Sequence, residues 1–350
     1  MNHTIGLIFK AIPLVIAAIC IGLGIYVLSY GENTSRTLPG VVLIGLSSIC
    51  IALYCTAAVI ISQLANRYKP FMTYLFPAIG YSVTVITFFI GVNLFLTAGT
   101  TAFYVGGHIV CGLALITGCV STAATASTRF YLIPVNTKTD VNDNTPPEKA
   151  FSKGQASILK AIPVILSLIA WAWALQLVRH SAYPTHFVAG FVMIGLASIC
   201  TSLISLVFSI VNQVCNSYSP KQKGQWPSLV LVMGSISLLS GLFILLIDRS
   251  AYSVAPGFVL IGLGLICYSI SSKVILLALT WKSEYALANR IPMIPIFTAL
   301  VCLFLSAFLF EESTMNEAYF IPARVMVGLG GICFCLFSIV SILESGVSKK

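Results

Sequence analysis

The chain has 350 residues, 58% hydrophobic and only 8% charged, with a mean hydropathy of +0.99. Soluble domains carry roughly 25% charged residues, so a water-soluble globule is excluded and a membrane-embedded chain is expected. The net charge of +9 does not point to nucleic acid, because no basic helix or basic–aromatic face accompanies it.

A bilayer core of about 30 Å asks for roughly 20 apolar residues per helix. Ten segments meet that length: 5–29, 40–63, 75–97, 102–125, 158–178, 188–212, 228–247, 254–279, 293–310 and 320–343. The first resembles a signal peptide in composition, yet its Lys10-Ala11-Ile12-Pro13 is echoed by Lys160-Ala161-Ile162-Pro163. A retained, repeated span is therefore expected instead of a cleaved leader. The odd segments carry prolines near their starts (Pro13, Pro77, Pro163, Pro227, Pro292). The first helical turn is where proline is tolerated, since that amide has no intrahelical acceptor.

Each even segment opens on nearly the same phrase. The copies place Gly40, Gly45 and Cys50; Gly107, Gly112 and Thr117; Gly190, Gly195 and Cys200; Gly257, Gly262 and Cys267; and Ala323, Gly328 and Cys333 at matching positions. The second glycine recurs at steps of 67, 83, 67 and 66 residues, a period that repeats a supersecondary unit. The expected units are helical hairpins over about 1–68, 69–130, 151–218, 219–282 and 283–350, with 131–150 a polar linker that accounts for the long step. Two spans per unit preserve orientation, so the hairpins run parallel. Fifteen of the nineteen lysines and arginines fall at one end of the spans, leaving Arg36, Arg179, Arg249 and Arg324 at the other. The positive-inside rule then puts both termini in the cytoplasm.

Residues five apart on a helix are separated by about 140°, so the glycines of each phrase face different neighbours. Small residues let helices approach closely in lipid. The even helices are thus expected inside and the odd ones toward lipid. The hairpins then either close as a pseudo-fivefold ring or fold as a row. The expected fold class is an all-α membrane protein of ten transmembrane helices.

Little in the spans suggests chemistry. The eleven cysteines lie in apolar runs with no Cys-x-x-Cys pair, which reads as packing. There is no phosphate loop, dinucleotide fingerprint, zinc spacing or hydrolase elbow. No enzyme, cofactor or metal site is expected. Intramembrane ionisable residues mark pathways and relays, and here they are scarce. Lys273 and Arg324 sit near span ends and are expected to snorkel to the interface. Asn93, Gln176, Ser47, Ser48, Thr117 and Ser198 are expected mainly to bond between helices, with a narrow path as the other reading. His108, early in the fourth segment, together with His180 and His186 in the loop after the fifth, could respond to acid. The candidate pH-responsive or pathway residues are therefore His108, Thr117, His180, His186, Lys273 and Arg324.

Three stretches carry a family resemblance: Leu287 to Pro295, Gly262 to Ile270 and Phe337 to Glu344. With them the whole chain resembles the YhiM-like family of enterobacterial inner-membrane proteins. That resemblance implies a multi-pass inner-membrane protein linked to survival at low pH, and it brings no agreed functional residues. Gly–His pairs recur at repeat starts in the family pattern, whereas here only Gly107-His108 keeps the histidine and Val41, Phe191 and Phe258 stand at the corresponding places. The leading expectation is a protein supporting low-pH survival as a small conduit or pH-responsive element. The alternatives are a secondary transporter of a small neutral or weakly polar solute, or a non-transporting scaffold. Its partners would be the lipid bilayer and an ion or small solute, with no nucleic acid.

Overall fold

The computed structural model describes residues 3–29, 34–65, 67–97, 99–130, 151–248, 250–281 and 288–347. Arg249 and the 131–150 linker lie outside the described residues. Among those residues the chain is all-helical. The helices are α1 His3–Ser29, α2 Thr34–Leu64, α3 Met72–Leu96, α4 Thr101–Ser127, α5 Lys153–Arg179, α6 Pro184–Val214, α7 Pro220–Ile247, α8 Ala251–Trp281, α9 Met293–Glu312 and α10 Phe320–Val347. All ten are long and apolar enough to span a membrane. Short 3-10 turns, Ala288–Arg290 and Glu317–Tyr319, precede α9 and α10.

Several helices begin earlier than hydropathy predicts, and the caps explain why. At α5 the Ser152 hydroxyl accepts from the Gln155 amide at 3.2 Å, and Gln155 Oε1 accepts from the Ser152 amide at 3.2 Å. This capping box satisfies two otherwise orphaned amides. At α7 the Ser219 amide donates to Gln222 Oε1 at 3.3 Å, and the same oxygen takes Asn212 Nδ2 at 3.2 Å. Apolar length measures the membrane, whereas capping decides where a helix starts. Pro163 and Pro227 consequently lie within helices, as do Pro13 and Pro77, and not in first turns; Pro292 directly precedes α9.

The even helices are the buried ones. Their most apolar windows are 72–94% buried, against 17–33% for the odd helices. Each odd helix packs on the even helix that follows it, and α2 meets α4, α4 meets α6, α6 meets α8, α8 meets α10 and α10 meets α2. The two glycines of each of the first four phrases, and Gly328 of the fifth, divide these contacts. A Cβ on the first would strike the preceding odd helix: Gly40 faces Gly24 and Leu28, Gly107 faces Gly91 and Phe95, Gly190 faces Val178, and Gly257 faces Gly241 and Leu245. A Cβ on the second would strike the next even helix. Gly45 faces Leu113, Gly112 faces Leu196, Gly195 faces Leu263, Gly262 faces Leu329 and Gly328 faces Leu46, each at 2.5–2.8 Å. In lipid, where apolar burial gives little net attraction between helices, such close approach supplies the packing.

Polar side chains tie the opposite ends of the same helix pairs. Gln63 Nε2 donates to the Ser127 carbonyl at 3.2 Å, and Gln213 Nε2 donates to the Leu277 carbonyl at 2.9 Å. Contacts at both ends make α2 and α4, and likewise α6 and α8, run side by side in one direction. The end of the bundle holding the short links from odd to even helices is called the turn end below.

Candidate functional site

Two regions of the bundle could carry function: its axis and a pocket at the turn end. Residues one, four, eight and eleven positions after the second glycines converge on the axis, Leu196 and Ile339 excepted. The lining includes Leu46, Leu113, Leu263 and Leu329, then Ile49, Ile116, Ile199, Ile266 and Ile332. Below these come Leu53, Val120, Leu203, Ile270 and Leu336, and finally Thr56, Ala123, Leu206 and Lys273. The spacing of three, four and three residues is that of a helical seam, which keeps one stripe facing a common centre. The space there is only about 30 Å³, room for very few waters. Apart from Thr56 and Lys273 its lining is apolar.

Lys273 corrects the expectation of snorkelling. It is 3% exposed and lines the axis in the deepest of these layers. Its position eleven residues after Gly262 puts it on the inward seam, so its helix turns it away from the lipid-facing surface. Arg324 behaves differently. Its Nη1 donates to the Phe320 carbonyl at 3.0 Å, and the guanidinium lies over the Phe320 and Phe310 rings, 3.3 and 4.9 Å from their centroids. It adds a side-chain hydrogen bond to a carbonyl in the first turn of its own helix and packs on aromatic faces.

The second region gathers three of the candidate residues. His108 on α4, His180 at the end of α5 and His186 on α6 line one cavity of about 390 Å³ with Tyr104, Trp173 and Gln176. His108 is 6% exposed. Its ring stacks on Phe95 at 4.9 Å and 10°, and meets Tyr104 and Trp173 edge-on. Trp173 Nε1 donates to His108 Nδ1 at 3.2 Å. Because an indole N–H only donates, Nδ1 must be unprotonated and the imidazole neutral, with its proton on Nε2. That Nε2 is buried and has no hydrogen-bond partner. His186 is better satisfied: Nε2 meets the Tyr104 hydroxyl and Nδ1 the Thr185 hydroxyl, both at 3.3 Å. The His180 and His186 rings are 6.1 Å apart. No group of three His, Cys, Asp or Glu side chains among the described residues is arranged to hold a metal ion.

Thr117 stands apart from both regions. It is fully buried, donates to the Leu113 carbonyl at 2.8 Å and shares a 2.8 Å hydrogen bond with Ser48, tying α2 to α4. Ser47 and Ser198 bond carbonyls of their own helices. Sequence reasoning passed over the aromatic walls of the pocket, because Phe95, Tyr104 and Trp173 look like ordinary membrane aromatics. It also passed over the axial seam, whose heptad-like spacing after each glycine was available to find it.

Residues 1–348 match a family described as "Protein of unknown function (DUF2776)". The chain belongs to this family. It is also 47% identical over 351 residues to the inner membrane protein YhiM of Escherichia coli (strain K12), covering both chains completely. Ten apolar helices and an inner-membrane relative make this family member a multi-pass inner-membrane protein.

Proposed function

We propose that the family member is five parallel hairpins closed as a pseudo-fivefold ring, and that it supports survival at low pH as an acid-responsive conduit held here in its closed form. The carrying observation is the axial cavity lined by all five even helices. Stacked leucine and isoleucine layers form a constriction of the kind that gates by excluding water. The turn end faces the periplasm and both termini the cytoplasm, on the charge distribution along the chain. In this reading the protein is not an enzyme, and its partners are the bilayer and an ion or small solute. A transporter of a small neutral or weakly polar solute would need a chamber on the axis, and the leucine and isoleucine layers leave only about 30 Å³ there.

Reconstituted protein should pass protons, ions or small solutes at pH 4.5 and remain tight at pH 7, read as dye or tracer flux from liposomes. Flux that stays at the protein-free level at both pH values removes the conduit from the proposal.

A further inference from the structure

The axial stripe continues toward the turn end. Leu38, Val105, Val188, Ala255 and Ile321 stand seven residues before the second glycines, about two helical turns back along the same stripe. All five line one cavity of about 260 Å³, whose polar side chains among the described residues are Thr101, Thr185 and Tyr252. Three residues before the glycines, the stripe carries Val42, Ile109, Val192, Val259 and Val325, all buried. A neutral mouth therefore leads through apolar layers to the fourth layer of the axis. Across the two cavities, Lys273 is the single charged side chain among the described lining residues. No carboxylate lines either one, and Glu344 of α10 is not among their walls.

Packing does not call for this lysine. Other copies fill the same layer with Thr56, Ala123 and Leu206. Ionisable side chains inside a membrane are costly, and those that persist face the bundle interior and mark the path of what they meet. Lys273 is turned to the axis and buried among uncharged neighbours. The partner for its charge has to come along the axis.

We infer that the axis is a path for small monovalent anions such as chloride, and that Lys273 is the residue that sets this preference. The inference rests on the conduit reading and names its class of solute. While the layers are dry, no ion of either sign enters. Once they wet, water reaches the amine, and a hydrated lysine is an ammonium at neutral and acid pH alike. One uncompensated positive charge beside a narrow path in apolar surroundings attracts anions and repels potassium, sodium and hydronium. A proton relay would need titratable groups in succession, whereas Tyr252 at the mouth and Lys273 are separated by the whole apolar stripe. Repulsion of hydronium also suits a path that opens in acid, since it spares the cytoplasm a proton leak.

The test reads reversal potentials of full-length protein in planar bilayers under a potassium chloride gradient. The native chain is measured at pH 4.5, and the Ile199→Ser/Ile266→Ser variant, whose axis is wetted by design, at pH 7. Both should prefer chloride over potassium by about tenfold, the scale of a unit charge beside a wetted path. Lys273→Arg should keep the preference, Lys273→Met should abolish it, and Lys273→Glu should reverse it. Arg and Met are enough for the comparison if the glutamate variant fails to fold. A potassium preference in the native chain, or a chloride preference unchanged by Lys273→Met, overturns the role of Lys273 and leaves the conduit standing. A silent native chain beside a serine variant whose selectivity follows residue 273 does the reverse: the anion path is supported and native conduction falls. Silence in both ends the two readings together.

Discussion

The axis and the turn-end pocket are built from the same helices by opposite rules. On the axis, the first three layers carry leucine, isoleucine or valine at equivalent positions of the even helices and leave almost no space, while the fourth holds Thr56, Ala123, Leu206 and Lys273. The pocket comes from the places where the copies differ. His108 stands where Val41, Phe191 and Phe258 stand in other units, and it meets Trp173 and His186 from the neighbouring hairpin. Repetition therefore builds a dry wall through the first three layers. A departure from it at His108 borders one polar recess of about 390 Å³.

That comparison can be broken most severely at the close contacts shared by both regions. A Cβ at Gly107 would lie 2.6 Å from the Phe95 amide nitrogen and 2.8 Å from the Gly91 carbonyl oxygen. Backbone cannot step aside as a side chain can. Gly107→Ala should cost about 3 kcal/mol and also disturb the ring stacked on His108. Gly22, with nothing within 4 Å of an added Cβ, is the control, and Gly22→Ala should gain about 0.5–1 kcal/mol. Detergent-based unfolding of the two variants checks the difference, and equal stabilities would refute the packing role of the phrase.

The dryness of the axis comes next. Lys273 faces it with no carboxylate among the residues that share the cavity, so Lys273→Met should raise stability by about 2 kcal/mol. A loss of stability instead would mean that the axis holds enough water to solvate a charge. The conduit reading sharpens the same point. Ile199→Ser together with Ile266→Ser places hydroxyls in an all-isoleucine layer, and liposome flux at pH 7 should rise above the wild-type level.

Smaller effects distinguish the pocket from ordinary packing. His108→Phe leaves the Trp173 N–H without its acceptor and should cost about 1.5 kcal/mol. It should leave neutral-pH flux through the axis unchanged. Thr117→Val removes one hydrogen bond to Ser48 and should cost about 0.6 kcal/mol. Thr117→Cys, which restores the residue used by the other four copies, should be close to neutral in the same unfolding assay.

Much of the fold was legible because membrane constraints act on composition and period. Ten apolar runs of spanning length are visible without any tertiary information, and so is the five-fold phrase. The phrase also signalled that each even helix has several close neighbours, and Gly40 against α1 with Gly45 against α4 shows that division. Helix starts were less legible, since the caps at Ser152 and Ser219 lie in polar sequence outside the apolar runs. The histidines could be marked as candidates one at a time, but their meeting could not be foreseen.

By itself, then, the sequence determined the solvent, the number of spans and the repeated small residues, because lipid imposes length and apolarity on every segment separately. Only the tertiary structure decided which stripe of each even helix faces the axis, that Lys273 lies on that stripe, and that Trp173 holds His108 as a fixed donor. Those facts depend on rotation about helix axes and on contacts between hairpins. Within a membrane both are set by side-chain fit between neighbouring helices, a property that no single segment carries alone.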